Sequence, residues 1–452
     1  MARAEPGWQL IRGGRVVDPA QRRAPALDIL VEDGVIRAVG TGLAAPEGAT
    51  MVEAAGFLLH PGLVNAHTHG HGGLARGQGD RWTLELLLAA SPWIGGGRGP
   101  ADKHLSTLLC AAEMVLKGCT TAYDLTVEVP LPTVEGLDAV AEAYARVGMR
   151  AVVAPMVADR SLYQAYPALM EALPEALRDQ VTKLGAAPWR ETLAAMEAAL
   201  RGWRWAAEDI RFAVAPTIPL HCSDEFLCGC RDLARAHGVA LHSHVGESRL
   251  QATEGLRRYG ASLVRHLDRL GLIGPDFTAA HGVWLDDDEL RLLAGRGASV
   301  AHNPGSNMKL GNGMFRLHRA LELGVNVGLG TDGVSSSDNS NMYEAMRLAA
   351  FTSHVQVPDP TQWASAEQVW HAATRGAGRA AGMAHVGALT PGMAADIVFL
   401  DLAVPHWMPH NATLNQLVHA EDATAVRHVM IDRKSTRLNS SHSTLSRMPS
   451  SA

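Results

Sequence analysis

The sequence predicts an α/β protein, a (β/α)8 barrel carrying a small β domain assembled from both chain ends. Two observations lead there. Eight short apolar runs alternate with amphipathic helical stretches through the middle of the chain, a count that suits eight parallel strands joined by helices. Strand-and-turn texture fills the opening segment and returns near the end. A length of 452 residues accommodates one large domain and a smaller one.

The opening reads WQLIRGGRVVDP, ALDILVEDGVIRAVG and TMVEAAGFLLHPG. Apolar residues alternating around Gly-Gly and Asp-Gly predict antiparallel hairpins. ADIVFLDL and AVRHVMIDR repeat that texture, so residues 1–61 and 391–433 are assigned to one composite sheet domain. The barrel is assigned to 62–390. Its strands are GLVNAH, CTTAYDL, RAVVAPM, RFAVAP, VALHSH, FTAAHG, ASVAHN and VNVGLGTD. DKHLSTLLCAAEMVLKG, DAVAEAYARVG and DEFLCGCRDLARAHG between them begin near Asp and end in Gly, as capped helices do. An open doubly wound sheet is the competing arrangement of the same elements. Residues 158–206 exceed an ordinary connection and contain ETLAAMEAALRGW, which predicts a helical insertion near the barrel mouth. The last stretch, KSTRLNSSHSTLSRMPSSA, is Ser/Thr-rich with no acidic residue and no apolar period. Residues 434–452 read as a non-native tail, outside the fold.

At 47% hydrophobic and 19% charged residues the chain can bury a substantial core. No apolar run is long enough to span a membrane, and the N-terminus lacks a signal-peptide core. A net charge of −6 without a long basic run argues against nucleic acid as partner. Cys110, Cys119, Cys222, Cys228 and Cys230 show no framework spacing, so a reduced, cytoplasmic protein is expected.

His67 and His69 end the first barrel strand in PGLVNAHTHG. Positions i and i+2 of a strand share a face, so both imidazoles can converge on one ion. Alone, such a pair is equally well a core or surface feature. His244 and Glu247 follow the fifth strand in LHSHVGES, His281 the sixth in TAAHGVW, and Asp332 the eighth in GLGTDG. All strands of a parallel barrel open their C-terminal ends on one face, so these six residues meet in one mouth. Metal-assisted hydrolysis needs three or four N/O ligands, an open position for water and an acid/base group beside it; the six supply each part.

The order HTH, HxxE, isolated His, GTD closely resembles the amidohydrolase superfamily. PGLVNAHTH, AHNPGSNMKLG and GLGTDG resemble its aminohydrolase branch, which includes S-adenosylhomocysteine, cytosine, guanine and triazine deaminases. The likeness covers roughly residues 8–433 and implies a distorted (β/α)8 TIM barrel with a small β-sandwich. It implies one divalent metal, Zn2+ or Fe2+, held by His67, His69, His244 and Asp332. It also implies Glu247 as proton shuttle and His281 as the residue that polarises water or holds the leaving side. Asp332 would accept the proton of the attacking water. The fourth strand, RFAVAPTIPLH, has no lysine of the kind that bridges two metals in binuclear relatives, so a single metal is expected. A homodimer or higher homo-oligomer is common in this superfamily.

Two departures bear on substrate. Adenosine-type deaminases of the branch carry Pro-His-Ala-Pro after the fourth strand, and this chain has Pro216-Thr217-Ile218-Pro219. The loop expected after the first barrel strand, HGGLARGQGDRWTLELLLAASPWIGGGRGP, also lacks the branch's tryptophan-leucine and acidic pattern. Both argue against a nucleoside. Arg76, Trp82, Trp93, Thr217, His221 and Trp284 are candidate pocket residues, although packing explains any one of them equally well.

Gly328, Gly330 and Gly333 spell GxGxxG, but too late in the chain for a dinucleotide fold and around the Asp the metal site needs. The expected activity is deamination of a small nitrogen heterocycle of purine, pyrimidine, pterin or triazine type, with ammonia released. Hydrolysis of an exocyclic amide, urea or carbamate by the same site is the alternative. A metal-bound scaffold of the same fold is the non-enzymatic one.

Overall fold

The computed structural model describes residues 7–437 except 96, 184 and 433, so most of the tail, 438–452, lies outside the described residues. Five strands open the chain: β1 Trp8–Val16, β2 Ala26–Glu32, β3 Val35–Gly40, β4 Thr50–Glu53 and β5 Phe57–Pro61. Eight follow: β6 Leu63–Thr68, β7 Cys119–Val127, β8 Arg150–Val157, β9 Ile210–Pro216, β10 Ala240–Val245, β11 Phe277–His281, β12 Ser299–His302 and β13 Asn326–Leu329. β14 Ile397–Asp401, β15 Val426–Ile431 and β16 Lys434–Arg437 close the described chain.

The middle eight pair in sequence order, every neighbour parallel. Unbroken apolar runs fit this, because these strands are buried on both faces; all six residues of β6 are buried. No ladder register joins β13 to β6, yet the ends meet. Asp332 N donates to His67 O at 2.9 Å and Thr331 N to the Asn65 Oδ1 at 3.1 Å. Asn65 Nδ2 reaches Thr331 Oγ1 at 2.7 Å. That seam makes a distorted barrel and rules out the open sheet, whose end strands would lie far apart. Gly330 permits the approach: a Cβ there would stand 2.4 Å from Asn303 Oδ1 and 2.8 Å from His67 O. The GxGxxG glycine thus closes the barrel.

Strands from both ends form a second eight-stranded sheet, ordered β16-β15-β14-β5-β1-β2-β3, with β4 also on β1. β1 pairs with β4 through Gln9–Arg12 and with β5 through Arg15–Val16. This branching lets the sheet enclose its own core, including Ile11, Ile29, Ile36, Leu59, Ile397 and Met430. Asp33-Gly34 is a hairpin turn between β2 and β3, with both residues at positive φ. Gly13-Gly14 is not. β1 runs straight through it, and the pairing with β2 merely shifts register between Ile11 and Gly14, so the expected hairpin is a bulge. Lys434–Arg437 pairs antiparallel to β15, carrying the sheet past Arg433, where the sequence reading ended it.

Between β8 and β9 lie four helices, Leu162–Ala165, Pro167–Ala172, Glu175–Thr182 and Trp189–Arg201. After β6 the chain forms a helix over Leu84–Gly95, in a segment read from sequence as loop. Among the described residues no helix is long and apolar enough to cross a membrane.

Candidate active site

His67 lies in β6 and His69 one residue beyond it, their ring centroids 4.8 Å apart. His244 lies in β10, His281 ends β11, and Asp332 stands just past β13. His281 and Asp332 have φ of 71° and 59°. Left-handed backbone at non-glycine residues costs about 1–3 kcal/mol and is found where geometry is dictated by function. The structure brings all six expected residues together. His67, His69 and His244 have ligand nitrogens within 4.8 Å of one another, and so do the ligand atoms of His67, His281 and Asp332.

The orientation of each ring has a visible cause. His69 Nδ1 donates to Leu125 O at 2.7 Å, and His244 Nδ1 to Thr217 O at 2.7 Å. Their Nε2 atoms therefore face inward, 3.3 Å apart, with His69 Nε2 3.2 Å from Asp332 Oδ1. His67 Nε2 stands 3.7 Å from the same oxygen and is buried without a hydrogen bond. Nitrogens so crowded around one carboxylate, one of them orphaned, form a donor set that suits a divalent cation.

The electrostatics agree. Burial pulls His67 well below the ordinary histidine range, and charge on His69 and His244 adds to this against Asp332. Burial likewise lowers His244 to about 3. For His69 burial also pulls down, but the Asp332 carboxylate outweighs it and the value ends raised. Burial would raise Asp332; His69, His67 and His281 instead hold it well below the carboxylate range. Asp332 thus draws charge to His69 while burial disfavours it on His67 and His244, and a cation in the cluster would take over that role.

Glu247 differs. Burial, then Asp332 and Glu85, push it well above the carboxylate range, against the nearby side-chain amides of Gln251 and Asn312. Its Oε1 accepts from Asn312 Nδ2 at 3.1 Å, while Oε2 lies 3.7 Å from His281 Nε2. That separation is no hydrogen bond, and burial disfavours charge on His281 as it does on Glu247. His281 Nδ1 donates to Asn307 Oδ1 at 2.9 Å, leaving Nε2 turned into the site.

The expected pocket residues divide. Thr217 acts through its carbonyl, which holds His244. Trp284 donates from Nε1 to Asn312 O at 2.8 Å and so supports the residue that holds Glu247. His221 is buried and lowered to about 4 by burial, its ring 5.9 Å from Tyr166. Trp82 lies over Gly79. Arg76 is paired to Glu113 of the helix Pro100–Leu116 and makes no contact with the ligand cluster. The side chain of Trp93 lies outside the described residues. Asn307, Asn312, Gln251 and His242 escaped the sequence reading. The signals were there: a second HxH in LHSH, and asparagines in NPGSNMKLGNG. A third grouping, His406, Glu421 and Asp422, lies elsewhere. Glu421 is occupied there by Trp407 Nε1 at 2.6 Å and by main-chain N–H groups of its own loop.

Residues 58–435 match the amidohydrolase family. The 5-methylthioadenosine/S-adenosylhomocysteine deaminase of Syntrophobacter fumaroxidans is 36% identical over 428 residues, covering 92% of this chain and 89% of that one. The 5'-deoxyadenosine deaminase of Methanosarcina mazei is 34% identical, covering 90% and 87%. A zinc-bound crystal structure of an adenosine deaminase from Xanthomonas campestris superposes with a TM-score of 0.82 at 29% identity, covering 94% and 92%. With likeness of this extent over nearly its whole described length, the chain belongs to the amidohydrolase family, as a hydrolase of carbon–nitrogen bonds other than peptide bonds.

Proposed function

We propose that this metal-dependent deaminase of nitrogen heterocycles acts on the exocyclic amine of an adenosine-type nucleoside, with one zinc ion held by His67, His69, His244 and Asp332. The observation that carries the reading is the placement of Glu247, a buried carboxyl beside the ligand cluster with Oε2 3.7 Å from His281 Nε2 and Oε1 held by Asn312. Burial pushes it well above the carboxylate range, which favours the protonated form. Zinc in such a donor set supplies a nucleophilic water near neutral pH, the pKa of water falling to about 7.

The protein's own groups do the rest. Asp332 Oδ1 is engaged by His69 and by Gly333 N at 2.6 Å, so Oδ2, 4.0 Å from His281 Nε2, is free to take the proton of the attacking water. Glu247 Oε2 gives its proton to the ring nitrogen next to the amine-bearing carbon, because Oε1 is committed to Asn312. Carbon then becomes tetrahedral without a full negative charge on the ring. The proton collected by Asp332 goes to the amine, which leaves as ammonia, and the hydroxyl proton remaining on the carbon's oxygen returns to Glu247 as the ring carbonyl forms. His281, fixed by Asn307, offers an Nε2 lone pair to hold the water or the leaving amine.

Thr217, where the adenosine-type branch has histidine, weighs against a nucleoside; the identities of 36% and 34% to deaminases named for adenosine nucleosides weigh more. A reduced, cytoplasmic setting is supported by five free cysteines, four of them buried. A homodimer or higher oligomer is supported by Leu105, Leu109 and Leu116, exposed on the helix Pro100–Leu116.

Zinc-loaded protein, with metal content measured on the same sample, should release ammonia from adenosine, 5'-methylthioadenosine, S-adenosylhomocysteine or 5'-deoxyadenosine. Ammonia only from guanine, cytosine, a pterin or an aminotriazine would overturn the substrate class. An amine or acid product from an amide, urea or carbamate would overturn deamination itself.

A further inference from the structure

Of the three histidines in the proposed ligand set, two are held from behind by a main-chain carbonyl, Leu125 O for His69 and Thr217 O for His244. A carbonyl can only accept, so those rings must carry their proton on Nδ1. His67 has no carbonyl in that place. Its Nδ1 faces His242 Nε2 at 3.2 Å, and an imidazole nitrogen can either accept or donate.

We propose that His242 is a positioning residue that accepts a hydrogen bond from His67 Nδ1 and so selects the tautomer of His67 whose Nε2 is free for the metal. The inference rests on the ligand set assigned above. In the opposite arrangement His242 would donate, and His67 would carry its proton on Nε2, toward Asp332, where it blocks coordination.

The surroundings of His242 fit the role. Residues i and i+2 of β10 share a face, so LHSH places His242 on the same side as His244. The Tyr123 ring, from the barrel-interior core, meets His242 edge-on with centroids 4.4 Å apart. To accept at Nε2, His242 must hold its proton on Nδ1, and that nitrogen is buried without a hydrogen bond, as is the Tyr123 hydroxyl. A methionine or leucine would fill the space without this unfavourable burial. What histidine adds is an acceptor at this point.

Zinc dissociation constants from competition with a chromogenic chelator test the idea, alongside the melting temperature of each metal-free variant. H242M should bind zinc about 10–100-fold more weakly than wild type, and H242Q, which keeps an acceptor, should lose far less. H67A should lose more than either. If H242M binds zinc as tightly as wild type while H67A does not, this inference is overturned and the ligand set stands. Wild-type affinity in H67A sinks the ligand set instead. Should the His242 variants fail to fold, the cobalt-loaded wild type decides. Its proton spectrum should show three exchangeable, metal-shifted N–H signals, one from each Nδ1, and fewer than three would overturn the proposal.

Discussion

Burial, with Asp332 and Glu85 nearby, pushes Glu247 well above the carboxylate range, which favours the protonated form that the proposed mechanism uses. Replacing it by glutamine keeps the shape and the Asn312 contact but removes the transferable proton. E247Q should retain one zinc per chain and lose about 10²–10⁴-fold in kcat. Full turnover by metal-loaded E247Q would remove Glu247 from the mechanism. The six central residues were legible in sequence because each stands at the end of a strand-like run, and the barrel folds all such ends to one mouth. Asn307, Asn312 and His242 were not, since a residue that holds another side chain leaves no spacing of its own. The pocket walls were less legible still. Arg76 looks like a substrate anchor until Glu113, distant in sequence, is seen to pair with it.

Among elements, β5 shows how the two sheets communicate. His60 within it donates from Nδ1 to Pro61 O at 2.7 Å and accepts at Nε2 from the Tyr343 hydroxyl at 2.7 Å. Tyr343 belongs to the helix Met342–Gln356 that packs outside the barrel, so the strand is pinned to it through a neutral imidazole. Burial lowers the His60 pKa from 6.5 to about 4. Between those values the unfolded chain binds a proton that the folded protein refuses. This contribution to stability is therefore whole above pH 6.5 and is lost progressively as pH falls to 4. A fall from 6.5 to about 4 corresponds to roughly 3 kcal/mol. Urea unfolding of wild type and H60Q from pH 7 to 4 should show the wild type losing about that much more. Parallel pH profiles would mean that His60 titrates alike in both states. Strand identity in this region was readable from alternation, but the Gly13-Gly14 bulge was not, because a bulge and a turn draw on the same residue. The insertion between β8 and β9 was readable as helical from ETLAAMEAALRGW, but the bounds of its short helices were not, because so few residues carry too little periodicity to register.

At the scale of the whole molecule, the end-built sheet is joined to the barrel at the strand ends opposite the proposed site. Asp396, just before β14, is the junction. Its carboxylate takes Arg150 Nε at 3.0 Å from the start of β8 and Asp432 N at 3.2 Å from the end of β15. Its carbonyl takes Gly62 N at 2.8 Å, immediately before β6. Arg150 and Asp396 are almost wholly buried, with side-chain exposures of 7% and 1%. No sequence pattern announces this pair, whose members stand 246 positions apart. Removing one partner of a buried ion pair leaves the other charge stranded, at a cost of about 3–5 kcal/mol. Here Asp209, half-exposed and 3.0 Å from Arg150 Nη1, stays to share the charge, which places D396A near the lower end of that range. R150M/D396L removes both charges and should regain much of the loss. Zinc affinity and kcat per folded molecule should hardly change, since barrel chemistry sits at the other ends of these strands. Urea unfolding together with kcat on both variants checks this. A D396A protein of unchanged stability, or one that keeps its stability and loses turnover, would show that the junction does not hold the two sheets together in this way.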